Sequence, residues 1–111
     1  MRILALEHDL SAAPRPDLDE ILRAEAAAVW ALQKRGVIRD IWFTVPRRRA
    51  VLLLECASVL DARNHLAGLP VVRRGLSDFD LLELTAYDGH ERLFDTGAPA
   101  PTAKPEEPPE Y

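Results

Sequence analysis

The segment "VIRDIWFTVPRRRAVLLLECA" (37–57) decides the fold, because it reads as two strands joined by a short turn. Residues 37–45 are rich in β-branched and aromatic side chains, which favour strands, and residues 50–57 form a second apolar run. Residues 46–49, "PRRR", supply the turn between them. The segment therefore predicts a β-hairpin in the middle of the chain.

A helix is predicted before this hairpin. Asp17 is followed three residues later by Glu20, the spacing of a capping box at a helix N-terminus. Lys34 and Arg35 place positive charge at the opposite end, and Gly36 is suited to the position just after the last turn. Residues 17–36 are therefore expected to form one helix that leads directly into the hairpin.

A second helix and two outer strands complete the pattern. Ser58 and Asp61 repeat the capping signal, and the helix that they begin ends at residues 68–70, "GLP". The segments "RILALEHDL" (2–10) and "DFDLLELTAY" (78–87) are predicted strands. The order β-α-β-β-α-β indicates an α+β, ferredoxin-like fold, in which a four-stranded antiparallel sheet carries both helices on one face.

The C-terminal part of the chain differs in composition from the rest. Five of the nine prolines lie in residues 99–109, together with acidic residues. Such a segment cannot bury enough apolar surface to fold alone. We therefore divide the chain into a domain at 1–94 and a Pro/Glu-rich tail at 95–111, which either remains loose or lies along a partner subunit.

The overall composition limits the classes of protein to consider. The chain has 111 residues, 48% of them hydrophobic and 29% charged, which suits one globular domain. A net charge of −4 argues against nucleic acid or an anionic membrane as the main partner, and the run 47–49 is expected to be a solvated turn. The single cysteine, Cys56, offers no disulfide and no metal-ligand spacing. Without a signal-peptide pattern or a membrane-spanning run, a cytoplasmic protein is expected.

Strand alternation predicts which residues lie on each of the two faces of the sheet. The residues expected under the helices are Leu4, Leu6, Leu52, Leu54, Leu82 and Leu84. The residues expected on the open face are Ile3, Ala5, Glu7, Val51, Leu53, Glu55, Phe79, Leu81, Glu83 and Thr85. Because this second set is too apolar to face water, the sequence predicts a homodimer or a larger homo-oligomer in which two sheets pack face to face.

Three carboxylates, Glu7, Glu55 and Glu83, fall on this expected open face. They are either structural, at strand ends or paired with arginines, or functional. The arginines considered as partners are Arg2, Arg39 and Arg49. In the functional interpretation the carboxylates lie in a polar pocket between sheet and helix, or inside a barrel.

Glu25 is the most unusual residue of the first helix. At 100° per residue it lies inside the apolar arc of that helix, and no cation stands three or four positions away from it. The residues of the arc are Leu18, Ile21, Leu22, Val29 and Leu32. Glu25 therefore lines a pocket, pairs with a distant cation such as Arg39 or Arg2, or belongs to an exposed helix face.

Residues 32–70 resemble the muconolactone isomerase family. The resemblance rests on a helix that ends in Gln33-basic-x-Gly36, on Arg39-x-x-Trp42, and on an apolar strand that ends in the acid Glu55. A helix start at 58–59, the Leu-Pro exit at 69–70 and the closing strand "LLEL" (81–84), with its acid Glu83, extend the likeness to about residues 1–87.

The resemblance implies ferredoxin-like subunits assembled as dimeric α/β barrels and larger rings. It also implies an isomerase that moves a proton along an unsaturated lactone without a metal or organic cofactor. Glu25 aligns with a glutamate near the pocket of the family and would transfer the proton. Arg39 aligns with an arginine that could hold a substrate carboxylate, and Trp42 could form a wall of the site.

One further site residue follows from a departure from the family. The histidine that the family carries in its first strand is replaced at the aligned position by Ala5, so His8, slightly further along, is the candidate acid–base partner of Glu25. Glu7, Glu55 and Glu83 would contact substrate or adjust the charge of the site.

The sequence thus predicts a cofactor-free, isomerase-like enzyme that acts on a small anionic unsaturated lactone or a related catabolite. Two alternatives share the same fold. One is a non-catalytic small-molecule-binding or accessory dimeric α/β-barrel protein, in which the carboxylates are structural and the tail contacts a partner. The other is a cofactor-independent monooxygenase-like protein, which would require a roomy, mostly apolar pocket with few charges, a requirement that the several glutamates disfavour.

Overall fold

The computed structural model describes residues 1–9 and 14–94, except for the side chain of residue 9. The predicted tail at 95–111 and part of the predicted loop at 11–16 lie outside these described residues. The elements are β1 (Arg2–Asp9), α1 (Leu18–Lys34), β2 (Ile38–Phe43), β3 (Ala50–Glu55), α2 (Val59–Ala67), α3 (Pro70–Arg73), β4 (Ser77–Leu84) and a 3₁₀ helix (Gly89–Phe94).

The four strands form one antiparallel sheet in the order β2-β3-β1-β4. The two central strands are β1 and β3. Helix α1 connects β1 to the edge strand β2, and helices α2 and α3 connect β3 to the other edge strand, β4. The predicted α+β, ferredoxin-like β-α-β-β-α-β fold is confirmed, with α3 as an additional short helix between α2 and β4. The core lies between the sheet and the helices and includes Ile3, Leu54 and Leu69, which are fully buried.

Helix α1 begins and ends where the sequence predicts, with Asp17 at its N-cap and Gly36 just after its last turn, but the predicted capping hydrogen bonds at its N-terminus are absent. Gly36 has a φ of 77°, and its amide donates to Gln33 O at 3.0 Å while the Val37 amide donates to Leu32 O at 3.0 Å, a pattern that favours glycine. Asp17 makes no capping hydrogen bond, so the predicted capping box is wrong. Its carboxylate instead accepts from Arg15 Nε at 3.0 Å, and this hydrogen bond lowers the pKa of Asp17.

The predicted start of α2 is confirmed. Ser58 Oγ accepts a hydrogen bond from the Asp61 amide at 2.9 Å. Asp61 Oδ2 in turn accepts from the Ala57 amide at 3.2 Å, so the carboxylate satisfies a backbone donor just before the helix. Two donors that the helix cannot pair internally are thereby satisfied.

The predicted faces of β1 and β4 are wrong, whereas that of β3 is correct. Ile3 pairs with Leu54, and Ala5 pairs with Leu52, so these residues share the helix-covered face. Phe79 and Leu81 of β4 lie on the same face by their pairing with β1. Alternation could not settle the choice for β1, because both of its faces are apolar and a one-residue shift exchanges them.

This correction also moves two of the three carboxylates. Glu7 pairs with Phe79, and Glu83 pairs with Ile3, so both belong to the helix-covered side of the sheet rather than the open face. Glu55 remains on the open face, as predicted. The side chains on the open face include Leu4, Leu6, Trp42, Val51, Leu53, Leu82 and Leu84. The open face is therefore still strongly apolar, with a different set of residues.

Within residues 1–9 and 14–94, no helix combines the length and apolarity required to cross a lipid bilayer. The same part of the chain contains no cluster of three or more histidine, cysteine or acidic side chains that could hold a metal ion. Cys56 is buried, and burial raises the pKa of its thiol, so its environment is that of a small apolar core residue.

Candidate active site

A cavity of about 540 Å³ lies between α1, α3 and the part of the sheet formed by β1, β2 and β3. Its lining is mostly apolar and consists of Leu22, Ala26, Val29, Ile41, Phe43, Ala50, Leu52 and Val71. Three charged residues complete the lining: Glu7, Glu25 and Arg48. A concave, mostly apolar volume with a few charged groups is typical of a small-molecule site.

Glu25 lies on α1 and is half-buried in the wall of this cavity. Its Oε1 accepts a hydrogen bond from the Val71 amide at 3.1 Å. Val71 is the second residue of α3, where a helix leaves its amides without internal partners. In the described part of the chain no cation lies within 4.0 Å of Glu25, so the structure contradicts the salt-bridge interpretation.

The surroundings of Glu25 raise its pKa above the ordinary value. Burial is the largest cause, because the apolar wall disfavours the ionised carboxylate, and the nearby charge of Glu7 acts in the same direction. The hydrogen bond from Val71 opposes both effects, since it stabilises the ionised form. A glutamate with a raised pKa in a cavity can take up and release a proton closer to neutral pH than an exposed one.

Glu7 is the second carboxylate of the cavity and projects from β1 toward the helices. Its Oε1 accepts from the Ala50 amide of β3 at 2.9 Å. Glu7 and Glu25 are therefore held in the same way, each by one backbone amide on one oxygen. Among the described residues no hydrogen bond reaches Oε2 of either, which leaves that oxygen available to a ligand.

Arg48, an exposed residue of the turn between β2 and β3, supplies positive charge at the rim of the cavity. Thr44 fixes this turn, because its amide donates to Arg49 O at 2.9 Å and its Oγ1 accepts from the Arg49 amide at 3.0 Å. The Thr44 hydroxyl also donates to Arg47 O. The guanidinium carbon of Arg48 lies 3.6 Å from the centre of the Phe43 ring, a close cation–π contact.

The other residues predicted for the site lie elsewhere. His8 is on the open face, where its Nδ1 lies 3.4 Å from Asp80 Oδ2. Arg39 is exposed at a β-bulge of β2, between residues that pair regularly with β3. Because of this bulge, Trp42 lies on the open face and is 67% exposed, whereas Phe43 turns toward the cavity.

Glu55 and Glu83 also lie outside the cavity. Glu55 accepts from the N-terminal ammonium at 2.8 Å and from Arg2 Nη2 at 3.3 Å. These contacts, the ammonium first, hold its pKa below the ordinary value. Glu83 is exposed near the end of β4. Within one subunit the structure therefore brings Glu7 and Glu25 together, and none of the other five predicted residues joins them.

Sequence reasoning missed Arg48 and Phe43 as parts of the site. Three consecutive arginines in a turn look like a solvated tip, and nothing in the sequence distinguishes the middle one. The alternation of β2 could have identified Phe43. Ile41 and Phe43 are two positions apart, so they face the same side of the sheet, and both line the cavity. An arginine that follows an inward-facing aromatic residue across a short turn can reach back over its ring.

Comparisons with known proteins find the same fold in solved structures but no match to the sequence. No protein-family profile matches the sequence, and no curated protein matches it. Among solved structures, muconolactone isomerase superposes with a TM-score of 0.68 at 16% identity, over 79% of this chain and 92% of the other. A 5-chloro-2-hydroxyhydroquinone dehydrochlorinase from Burkholderia phenoliruptrix, in complex with 2,5-dihydroxybenzoquinone, superposes with a TM-score of 0.58 at 15% identity, over 80% of this chain and 98% of the other. This chain shares the fold of these two small-molecule enzymes.

Proposed function

We propose that this protein is a cofactor-free, isomerase-like enzyme that moves a proton within a small anionic unsaturated lactone or a related catabolite in the cytoplasm. The observation that supports it best is Glu25, an oriented carboxylate with a raised pKa in the wall of an apolar cavity. The shared fold with muconolactone isomerase agrees with this assignment.

The proposed reaction needs only one group that accepts and returns a proton. The Glu25 carboxylate removes a proton from the γ-carbon of the α,β-unsaturated lactone, and the electron pair of the broken C–H bond spreads through the double bond onto the carbonyl as a dienolate. The protonated Glu25, whose proton can exchange with solvent, then delivers a proton to the carbon beside the carbonyl, so the double bond moves and the enzyme returns to its starting state. The buried Leu52 and Val71 give the intermediate an apolar wall, and Arg48 at the exposed rim of the cavity offsets its negative charge.

A direct assay tests this proposal with muconolactone as the first probe. In deuterated buffer the protein is expected to accelerate migration of the ring double bond, and NMR is expected to show deuterium entering the carbon positions that exchange protons. Heat-denatured protein serves as the control. If neither isomerisation nor exchange exceeds the uncatalysed rate for muconolactone and for related unsaturated lactone acids, the isomerase assignment is wrong.

Glu7 is expected to act on the reaction through the pKa of Glu25. The charge of Glu7 raises that pKa, so Glu7→Gln should lower it. Because Glu25 must be ionised to accept the proton, the acidic limb of the profile of kcat/KM against pH should move to lower pH. Glutamine keeps an oxygen that can accept from the Ala50 amide, so the fold should be retained.

The matched control for this variant is Glu83→Gln, which removes an exposed carboxylate outside the cavity and should leave the acidic limb in place. An acidic limb that does not move in Glu7→Gln, or that moves equally in both variants, would contradict the proposed coupling between Glu7 and Glu25.

We also propose that a second copy of the chain covers the open face of the sheet. Leu82 and Leu84 are exposed there beside Trp42, with half-buried leucines of β1 and β3 between them. An apolar sheet face of this size is costly in water, and face-to-face packing of two such sheets removes it from solvent. The expected assembly is a homodimer or a larger homo-oligomer built from it.

The mostly apolar lining also favours a second candidate, a cofactor-independent monooxygenase-like protein. This candidate predicts consumption of dioxygen when the protein is mixed with an electron-rich quinol, measured with an oxygen electrode. Proton transfer without oxygen uptake supports the isomerase. Tight ligand binding with neither activity would support a non-catalytic binding or accessory protein.

A further inference from the structure

We propose that Arg48 binds the carboxylate of the substrate through a bidentate ion pair and so makes the cavity selective for acids over their neutral analogues. The inference rests on the proposed function, because it names the group that recognises the substrate of that same cavity. It also assigns to Arg48 the anchoring role that the sequence had suggested for Arg39.

The first support is the rigidity of the turn that carries Arg48. Both the amide and the hydroxyl of Thr44 bond to residues on the far side of the turn, so the backbone from 44 to 49 is closed on itself. A side chain on such a turn approaches the cavity from a defined position. Binding then orders fewer groups than it would on a loose loop, which favours affinity.

The second support is the contact between Arg48 and Phe43. A guanidinium that lies over an aromatic ring uses its flat face, while its five N–H donors lie in its plane and remain free to bond at the edges. In the described part of the chain no group accepts a hydrogen bond from the Arg48 guanidinium, and no carboxylate lies within 4.0 Å of it. The ring therefore holds Arg48 in place without using the donors that a carboxylate would need.

The third support is the balance of charge around the cavity. Glu7 and Glu25 would repel an anionic ligand, and among the described lining residues Arg48 is the cation that can offset them. Arg39 cannot do so within the same subunit, because it lies at the bulge of β2 and does not line the cavity. A planar carboxylate on Arg48 would also place the rest of the ligand against the apolar wall.

The test compares Arg48→Gln with a control from the same turn, Arg47→Gln; both side chains are exposed, but Arg47 lies outside the cavity lining. Binding of muconolactone and of its methyl ester is measured by calorimetry with every variant, and the wild-type reference, carrying Glu25→Gln, so that slow turnover keeps the heat of isomerisation out of the binding signal. Loss of hydrogen bonds to a charged group predicts that Arg48→Gln weakens binding of the acid about 10- to 100-fold. The ester should change less than about 2-fold, and Arg47→Gln should bind both compounds as the wild type does.

A further variant, Arg48→Lys, separates charge from geometry, since lysine keeps the positive charge and lacks the planar pair of donors. Acid affinity between those of the wild type and Arg48→Gln supports the bidentate pair. Wild-type affinity for the acid in Arg48→Gln, or no preference of the wild type for acid over ester, overturns the proposal. In either of these cases, isomerisation that still depends on Glu25 would leave the proposed function standing.

Discussion

Replacement of Glu25 by glutamine is expected to lower kcat for proton transfer about 10²- to 10⁴-fold, the range in which a positioned acid–base group contributes. Glutamine has nearly the same shape, and its carbonyl oxygen can still accept from the Val71 amide, so the cavity should keep its form. Substrate affinity should be retained or rise, because the amide still fills the same place in the wall and no longer repels an anionic substrate. Steady-state kinetics with muconolactone would measure the change in kcat separately from the change in KM.

Stability measurements distinguish this loss from a failure to fold. The folded-state pKa of Glu25 is raised, so folding favours the protonated form, and the ionised carboxylate reduces stability once the pH exceeds its ordinary value. Glu25→Gln should therefore melt at the same temperature as the wild type or higher at neutral pH, with the difference vanishing in acid. Glu20→Gln, an exposed change on the same helix and outside the cavity lining, is the control for activity. Unchanged turnover in Glu25→Gln would remove Glu25 from the chemistry.

Replacement of Leu82 by glutamate is expected to separate the proposed dimer into monomers. Leu82 lies on the open face of β4 and is 55% exposed in the single subunit. In a face-to-face dimer each copy would place this carboxylate against apolar side chains, and burial of an unpaired charge costs several kcal/mol. The dissociation constant should rise at least about 100-fold, which light scattering coupled to gel filtration would detect as a halved mass.

The matched control is Leu60→Glu on α2, where the leucine is 68% exposed on the helix layer of the molecule. This change adds the same charge and removes the same apolar side chain, yet should leave the mass unaltered. A wild-type protein that is already monomeric at micromolar concentration, or equal dissociation of both variants, would show that the open face is not the dimer interface.

The pairing of Glu7 with Glu25 is a consequence of strand register. Had β1 adopted the face predicted from the sequence, Glu7 would lie on the open face and Glu25 would be the only carboxylate in the cavity. With Ile3 and Ala5 under the helices, the same alternation carries Glu7 to the helix side at the end of β1. Its charge then contributes to the raised pKa of Glu25.

Element order, the end of α1 and the start of α2 followed from the sequence alone, because they depend on local patterns: hydrophobic periodicity, Gly36 after the helix and Ser58 before one. Glu25 was also identifiable, since an acid within an apolar helical arc and without a local cation needs an environment of its own. Those features depend on interactions between residues that are close in the chain, so the local sequence is sufficient to predict them.

Tertiary structure decided the faces of β1 and β4 and the charged neighbours of Glu25. Both faces of β1 carry apolar residues. Its pairing with β3 and β4 and the packing of the helices therefore determine that Ile3 and Ala5 are the core residues. The bulge at Arg39 likewise set which side chains of β2 face the cavity, and the turn at 44–49 brought Arg48 over Phe43. Each of these outcomes depends on contacts between residues distant in sequence or on a one-residue change of register, which local patterns do not encode.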